Sequence, residues 1–176
     1  NALNLINTNP SKLDRYSISI DEAQLRENEN KISKILKRDK TLRNEDRYWL
    51  NGVLSYENIP YGIKMRLRGD QPNHWENKKK SWKIEIENNE FINNYNSFSL
   101  IIPSDRWLEI GHLANEISAK IGVLSLNSKY ILLDINKKNH GLYFWTENFN
   151  ANFLERHKYP AGQIFIGNDV PFDKIE

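Results

Sequence analysis

Apolar and polar residues alternate most regularly over residues 61–87. Ile63, Met65 and Leu67 alternate with Lys64, Arg66 and Arg68, and Trp82, Ile84 and Ile86 alternate with Ser81, Lys83 and Glu85. A period of two predicts strands over 62–68 and 80–87, each with one apolar and one charged face. The same period marks a strand over 16–20 (Tyr16, Ile18, Ile20); residues 129–135 and 140–147 read as two further strands, and the polar connection 136–139 makes them a β-hairpin. Residues 47–57 carry Tyr48, Leu50 and Leu54 around Asn51-Gly52, a pair that fits a hairpin turn or a strand bulge. Residues 97–102 form a short buried strand ended by Pro103.

Helical spacing is clearest over 104–121. Trp107, Ile110, Leu113, Ala114, Ile117 and Ile121 share one stripe, Ser104 or Asp105 supplies the N-cap and Gly122 the C-cap. Arg106 lies roughly 40° from the centre of the stripe, at the edge of the face expected to be buried. Glu109 and Glu116 fall outside it, with Glu116 placed to pair with Lys120. Residues 21–40 hold a second apolar set, Ala23, Leu25, Ile32, Ile35 and Leu36. The polar middle, 26–31, fits two short helices as well as a helix after a loop. A short helix over 150–157 carries Phe153 and Leu154, and residues 163–166 read as the start of a further strand. The order of elements predicts an α+β fold: a single antiparallel sheet covered by helices. Residues 1–15 form a loose lead-in, 16–147 one lobe, and 148–176 a hinge and the start of a second part.

At 176 residues the chain can bury a sizeable core. Its 25 Lys and Arg against 23 Asp and Glu give a net charge of +2, which implies no general polyanion partner. A pI near 8.7 does not argue for nucleic acid. The absence of cysteine excludes disulfides and thiolate metal sites. No apolar run approaches the ~18 residues of a membrane span. His74, His112, His140 and His157 lack metal-ligand spacing, and neither a Walker A loop nor a nucleophile elbow occurs. The tripeptide Arg68-Gly69-Asp70 matches an adhesion motif, but three residues are too few to carry that reading. Trp75 falls in a loop while Trp49, Trp82, Trp107 and Trp145 take strand or helix core positions, so carbohydrate binding through exposed tryptophans is the weakest reading.

Cations gather at both ends of the loop between the two charged strands, which suits phosphate or another anion. The run of strand, polar loop, strand with lysine, helix, two strands and short helix is the order of a protein-kinase N-lobe. On that mapping residues 147–150 are the hinge and Lys80 is the phosphate lysine. Lys80 shares parity with Trp82, Ile84 and Ile86, so it points from the core face at the loop end of the strand. Lys79 and Lys83 have the opposite parity and face solvent, unless a bulge exchanges the roles.

Residues 65–84, with Arg68-Gly69 and Lys79-Lys80-Ser81-Trp82-Lys83, resemble the signature of the CotH kinase family of spore coat protein H-like atypical protein kinases. Residues 130–155 are similar to its second landmark through Ile135-Asn136, Gly141-Leu142-Tyr143, Glu147 and Phe153-Leu154. The resemblance spans about residues 18–154. It implies ATP-dependent transfer of phosphate to protein Ser/Thr, with Arg68, Gly69, Lys80, Arg106 and Glu147 as nucleotide-site residues and Mg²⁺ as the metal. The metal-binding and catalytic aspartates are expected after the hinge, with neither Asp169 nor Asp173 assigned, so the 176 residues alone are expected to show no turnover. The resemblance also implies a protein substrate or a coat or surface protein as partner, at the cell surface or outside the cytoplasm. It leaves the oligomeric state open. Asp70-Gln71-Pro72 and Lys78 depart from the family pattern, as does Asn150 where an acidic residue is usual. These departures support a second reading, a non-catalytic coat-assembly, surface or adhesion module on the same scaffold.

Overall fold

A computed structural model of the chain describes residues 13–38, 41–69, 71–106 and 110–165, without the side chains of 44, 105 and 106. The lead-in up to residue 12, Asp70, Trp107, Glu109, Asp169 and Asp173 lie outside the described residues.

The chain forms seven strands: β1 (Asp14–Ile20), β2 (Leu50–Tyr56), β3 (Ile59–Leu67), β4 (Trp82–Ile86), β5 (Ser97–Ile101), β6 (Ser128–Ile135) and β7 (Lys138–Glu147). They close into a barrel in the order β1-β2-β3-β4-β5-β7-β6. All neighbours are antiparallel except β1 and β6, which pair in parallel with Asp14 opposite Ile131 and Ile18 opposite Ile135. The expected α+β class holds, but the expected single antiparallel sheet is a closed mixed barrel. Where a strand alternates, as β1, β3 and β4 do, the pattern tells which side chains point inward. It does not tell which distant strands meet, and the β1–β6 closure joins segments more than a hundred residues apart. Inside the barrel pack Tyr16, Ile18, Leu54, Ile63, Met65, Ile84, Phe98, Leu100, Ile131, Leu133 and Tyr143, each no more than 1 % exposed.

The closure is fastened by the turn after β6. Asn136 donates its backbone N–H to the Ile18 carbonyl (2.8 Å), and its side chain both accepts from the Ile20 N–H (2.9 Å) and donates to the Ile20 carbonyl (2.9 Å). It does so at φ 48°, a left-handed conformation that Asn tolerates better than most residues. Asn136→Ala is expected to lower stability by about 2 kcal/mol, from two lost hydrogen bonds and the left-handed backbone. A urea denaturation midpoint, with an unchanged m-value, checks this.

The Asn51-Gly52 pair makes no turn. It lies within β2, and the reversal comes at Glu57 and Asn58, both at positive φ. Gly52 is required for a different reason: a Cβ there would stand 2.7 Å from the Ser19 carbonyl oxygen on β1.

Helix α1 (Glu22–Arg38) runs unbroken through the polar stretch. Asn28 is buried and accepts a hydrogen bond from the Tyr48 hydroxyl (2.8 Å), while Ile32 and Ile35 join the core. Helix α2 (Ile110–Lys120) corrects a firmer expectation, because none of its residues is buried. Ile110, Leu113, Ile117 and Ile121 are 50–70 % exposed. What holds it to the barrel is polar: His112 Nδ1 and Asn115 Nδ2 both meet the Ser128 hydroxyl (2.9 and 3.1 Å). A 3-10 turn, Pro103–Arg106, precedes it. Helix α3 (Ala151–Arg156) is capped by the Asn150 side chain, which accepts from the Phe153 N–H. Residues 163–165 are irregular and begin no strand.

Candidate functional site

The β3–β4 connection is an ordered structure built on Trp75 and Ser81. Pro72–His74 form a 3-10 turn, and Trp75, expected in a loop, lies in this connection and is fully buried. Ser81 ties three pieces together. Its N–H donates to the His74 carbonyl (2.7 Å), its carbonyl accepts from the Arg68 N–H (3.0 Å), and its hydroxyl accepts from the Ile102 N–H (3.1 Å). Gly69 sits at φ 88° beneath the His74 ring, where a Cβ would come within 2.3 Å of the imidazole. The Arg-Gly and Lys-Ser pairs read from the sequence are thus held side by side.

That frame fixes Lys80. The Tyr143 hydroxyl donates to the Lys80 carbonyl (3.0 Å), and the side chain is 4 % exposed. Its Nζ donates to the Asn77 carbonyl (2.6 Å) and lies 3.3 Å from a carboxylate oxygen of Glu29 on α1. A buried ammonium is tolerable only when paired and hydrogen-bonded, and both partners are present. Glu29 itself is mostly exposed. Sequence reasoning missed it because it falls in the polar middle of α1; in a continuous helix Glu29 follows Leu25 by four residues and precedes Ile32 by three, on the face turned to the barrel.

Lys80 lines a cleft of about 280 Å³ between α1 and the β6–β7 turn. Arg26, Lys78, Lys80 and Lys138 contribute four cations against Glu22 and Glu29, and His140 lies on the same wall. Burial, reinforced by the nearby Lys79 charge, holds the His140 imidazole below its ordinary pKa. The wall is therefore electropositive, with one further group able to take up a proton.

Of the other lysines, Lys83 and Lys64 follow their parity and Lys79 does not. Lys83 and Lys64 lie on the outer face, beside Glu85 (2.8 Å) and Glu87 (3.4 Å) respectively. Lys79, expected in solvent, is half-buried: its ammonium donates to the Leu142 carbonyl and rests 4.6 Å from the centre of the Tyr143 ring. Burial lowers its pKa. The strand proper begins only at Trp82, so parity does not extend back to Lys79.

Glu147 is not brought to Lys80. It pairs with Phe98, which faces Ile84, four residues further along the chain than Lys80. Its fully buried carboxylate accepts from Arg156 through Nε (3.0 Å) and Nη2, from the Asn127 N–H (2.7 Å), and faces His157 Nε2 at 3.3 Å. Glu147 thus fastens α3 and the approach to β6 onto the end of β7. Arg106 closes the 3-10 turn before α2, and its side chain is outside the description. Among the described residues no group of three or more His, Asp or Glu side chains is placed to hold a metal ion, and no helix is long and apolar enough to cross a membrane.

The model of the family described as CotH kinase protein matches residues 65–174, well over half of the chain. The chain belongs to the CotH kinase family. No curated protein matches it. The match begins in β3 and takes in the Arg68–Ser81 frame, α2, the β6–β7 hairpin and α3. Within the second landmark of the sequence, the Ile135-Asn136 step is the clasp of the barrel and Glu147 is the lock on α3. Both have structural work that explains the residue type. Lys80 is the landmark residue that lines the cleft.

Proposed function

We propose that this chain is the nucleotide-binding part of an ATP-dependent protein kinase that phosphorylates Ser or Thr of a protein substrate, with the barrel serving as its N-lobe. The observation that carries this is the buried Lys80 ammonium, held by Asn77 and Glu29 at the wall of an electropositive cleft. Lys–Glu pairing of this kind presents a fixed positive charge to a phosphate. At about 280 Å³ the cleft falls just under the roughly 300–1,000 Å³ of whole small-molecule sites, a size suited to the phosphates. Lys80, Lys78, Lys138 and Arg26 would hold them, and Arg68 and Gly69 would set the loop that frames Lys80. Glu147 would keep the hinge in place without touching the nucleotide. Mg²⁺ would neutralise charge on the transferring phosphate, with its ligands outside the described residues.

Isothermal titration of Mg-ATP into the longest natural form of the protein tests the proposal. Lys80→Ala is expected to weaken binding at least about tenfold, as loss of a charge-assisted contact predicts. Equal affinity in both proteins removes Lys80 from the site. The cleft also predicts a pH effect. A bound anion favours the protonated His140, so affinity should rise as pH falls below the ordinary histidine value of about 6.5. His140→Gln should flatten that rise in titrations at several pH values.

The exposed apolar stripe of α2 favours a second reading, a non-catalytic coat or surface module that binds proteins through this scaffold. Absence of Mg-ATP binding by the intact protein at millimolar nucleotide would select it.

A further inference from the structure

A second cavity, of about 170 Å³, opens at the other end of the barrel, between α2, residues 125–128 and the start of β6. Lys129 lines it, while Ile135, six residues further along β6, lines the Lys80 cleft, so about 20 Å separates the two. Its wall is fixed from behind. The Asn127 N–H donates to the Glu147 carboxylate (2.7 Å), and the Asn127 carbonyl accepts from the Glu147 N–H (3.1 Å). The Trp145 ring, 2 % exposed, stands edge-on to Tyr95 with 4.7 Å between centres, and both rings line the cavity.

Three polar groups of this wall have no partner among the described residues. The Trp145 indole N–H is buried without an acceptor, where such a donor ordinarily finds one. Glu116, expected to pair with Lys120, makes no ion pair, and the Ser125 hydroxyl makes no hydrogen bond. Lys129, the cation among the described lining residues, is already paired with Asp14. An anion would therefore meet the unpaired Glu116 carboxylate and no free cation. A cation would meet the Lys129 ammonium, which lies 5.5 Å from the centre of the Trp145 ring. What the cavity offers is hydrogen bonding of both kinds: a donor in the indole, an acceptor in Glu116, and either in Ser125.

We propose that this cavity binds a neutral sugar of one ring, whose hydroxyl groups donate to Glu116 and accept from the Trp145 N–H. Sugar hydroxyls both donate and accept, so one ring answers all three unpartnered groups without bringing in charge. The volume, below the roughly 300–1,000 Å³ of drug-sized sites, suits a single ring. The tryptophan acts here as a buried donor, not as an exposed platform for stacking. The inference does not rest on nucleotide binding in the cleft.

The test is nuclear magnetic resonance on the full chain with D-glucose, D-galactose and N-acetyl-D-glucosamine, each titrated to about 50 mM. At least one should bind with a Kd of about 1 mM, as so small a ligand predicts, and shift the Trp145 indole N–H signal, assigned with Trp145→Phe. This readout needs no site variant to fold. Glu116→Ala should weaken that binding about tenfold and Ser125→Ala about threefold, the losses of a charged and a neutral hydrogen bond. Glu85→Gln, which removes a carboxylate from the outer face of β4, should change nothing, and excess Mg-ATP should leave the sugar affinity unaltered. An unmoved Trp145 signal with all three sugars, unaltered affinity in Glu116→Ala, displacement by Mg-ATP, or tighter binding of glycine than of any of the sugars would each overturn the proposal.

Discussion

Glu147→Ala is expected to destabilise the protein by about 3–5 kcal/mol, the range for breaking a buried ion pair from one side. The Glu147 side chain is 0 % exposed and that of Arg156 13 %. Removing the carboxylate leaves Arg156 without its counter-charge and the Asn127 N–H without its acceptor, each in a place that water reaches poorly. The damage should be local before it is global. α3 is only Ala151–Arg156, and it is held by the Glu147 carboxylate, by the Asn150 cap and by the buried Phe153. Amide exchange over 151–157 should therefore accelerate more than exchange in the barrel strands. The double variant Glu147→Ala/Arg156→Ala should be clearly less destabilised than the sum of the singles, because removing both partners leaves no orphaned charge. Chemical denaturation of the three variants decides it. A loss below about 1 kcal/mol would show that Glu147 behaves as an exposed carboxylate.

The sequence was most informative where a residue's role depends on its immediate neighbours. β1, β3 and β4 follow from period-two alternation, β6 and β7 from apolar segments on either side of a polar turn, and β5, whose residues are all buried, from a short run ended by Pro103. Lys80 shares parity with Trp82 and Ile84, which marks it as the inward lysine, and it is the buried one. Long-range choices were not legible. The parallel β1–β6 closure depends on Asn136 reaching Ile18 and Ile20, and nothing in the local pattern of either segment announces the other. Polar residues within a packed element were equally opaque. Asn28 and Glu29 sit in a run that looks solvent-bound, yet one is buried against Tyr48 and the other meets Lys80. The α2 stripe shows the opposite failure. Its 3.6-residue period is real and the helix forms, but periodicity states only that a helix has an apolar face, not that this barrel covers it.

Trp75→Ala carries the other large expected effect, again about 3–5 kcal/mol, the range for truncating a large buried aromatic side chain. Its consequence for function should exceed that of an ordinary core cavity, because Trp75 anchors the connection that orients Lys80. The Trp75 N–H donates to the Pro72 carbonyl (2.9 Å), and the adjacent His74 carbonyl receives the Ser81 N–H just before β4. With the indole gone, the 3-10 turn loses its apolar anchor, the cover over Gly69 loosens, and Asn77 no longer holds the Lys80 ammonium in one place. Trp75→Phe separates packing from polar effects. The indole Nε1 has no hydrogen-bond partner among the described residues, so Phe forfeits no bond there and keeps most of the buried ring. It should cost well under half as much and retain the ligand affinity of the cleft. Thermal melts and Mg-ATP titrations of both variants, the alanine form studied well below its midpoint, give the two readouts. If Trp75→Ala stays folded with unaltered nucleotide affinity, Lys80 is positioned by Tyr143 and Ser81 alone, and the connection is packing without a part in the site.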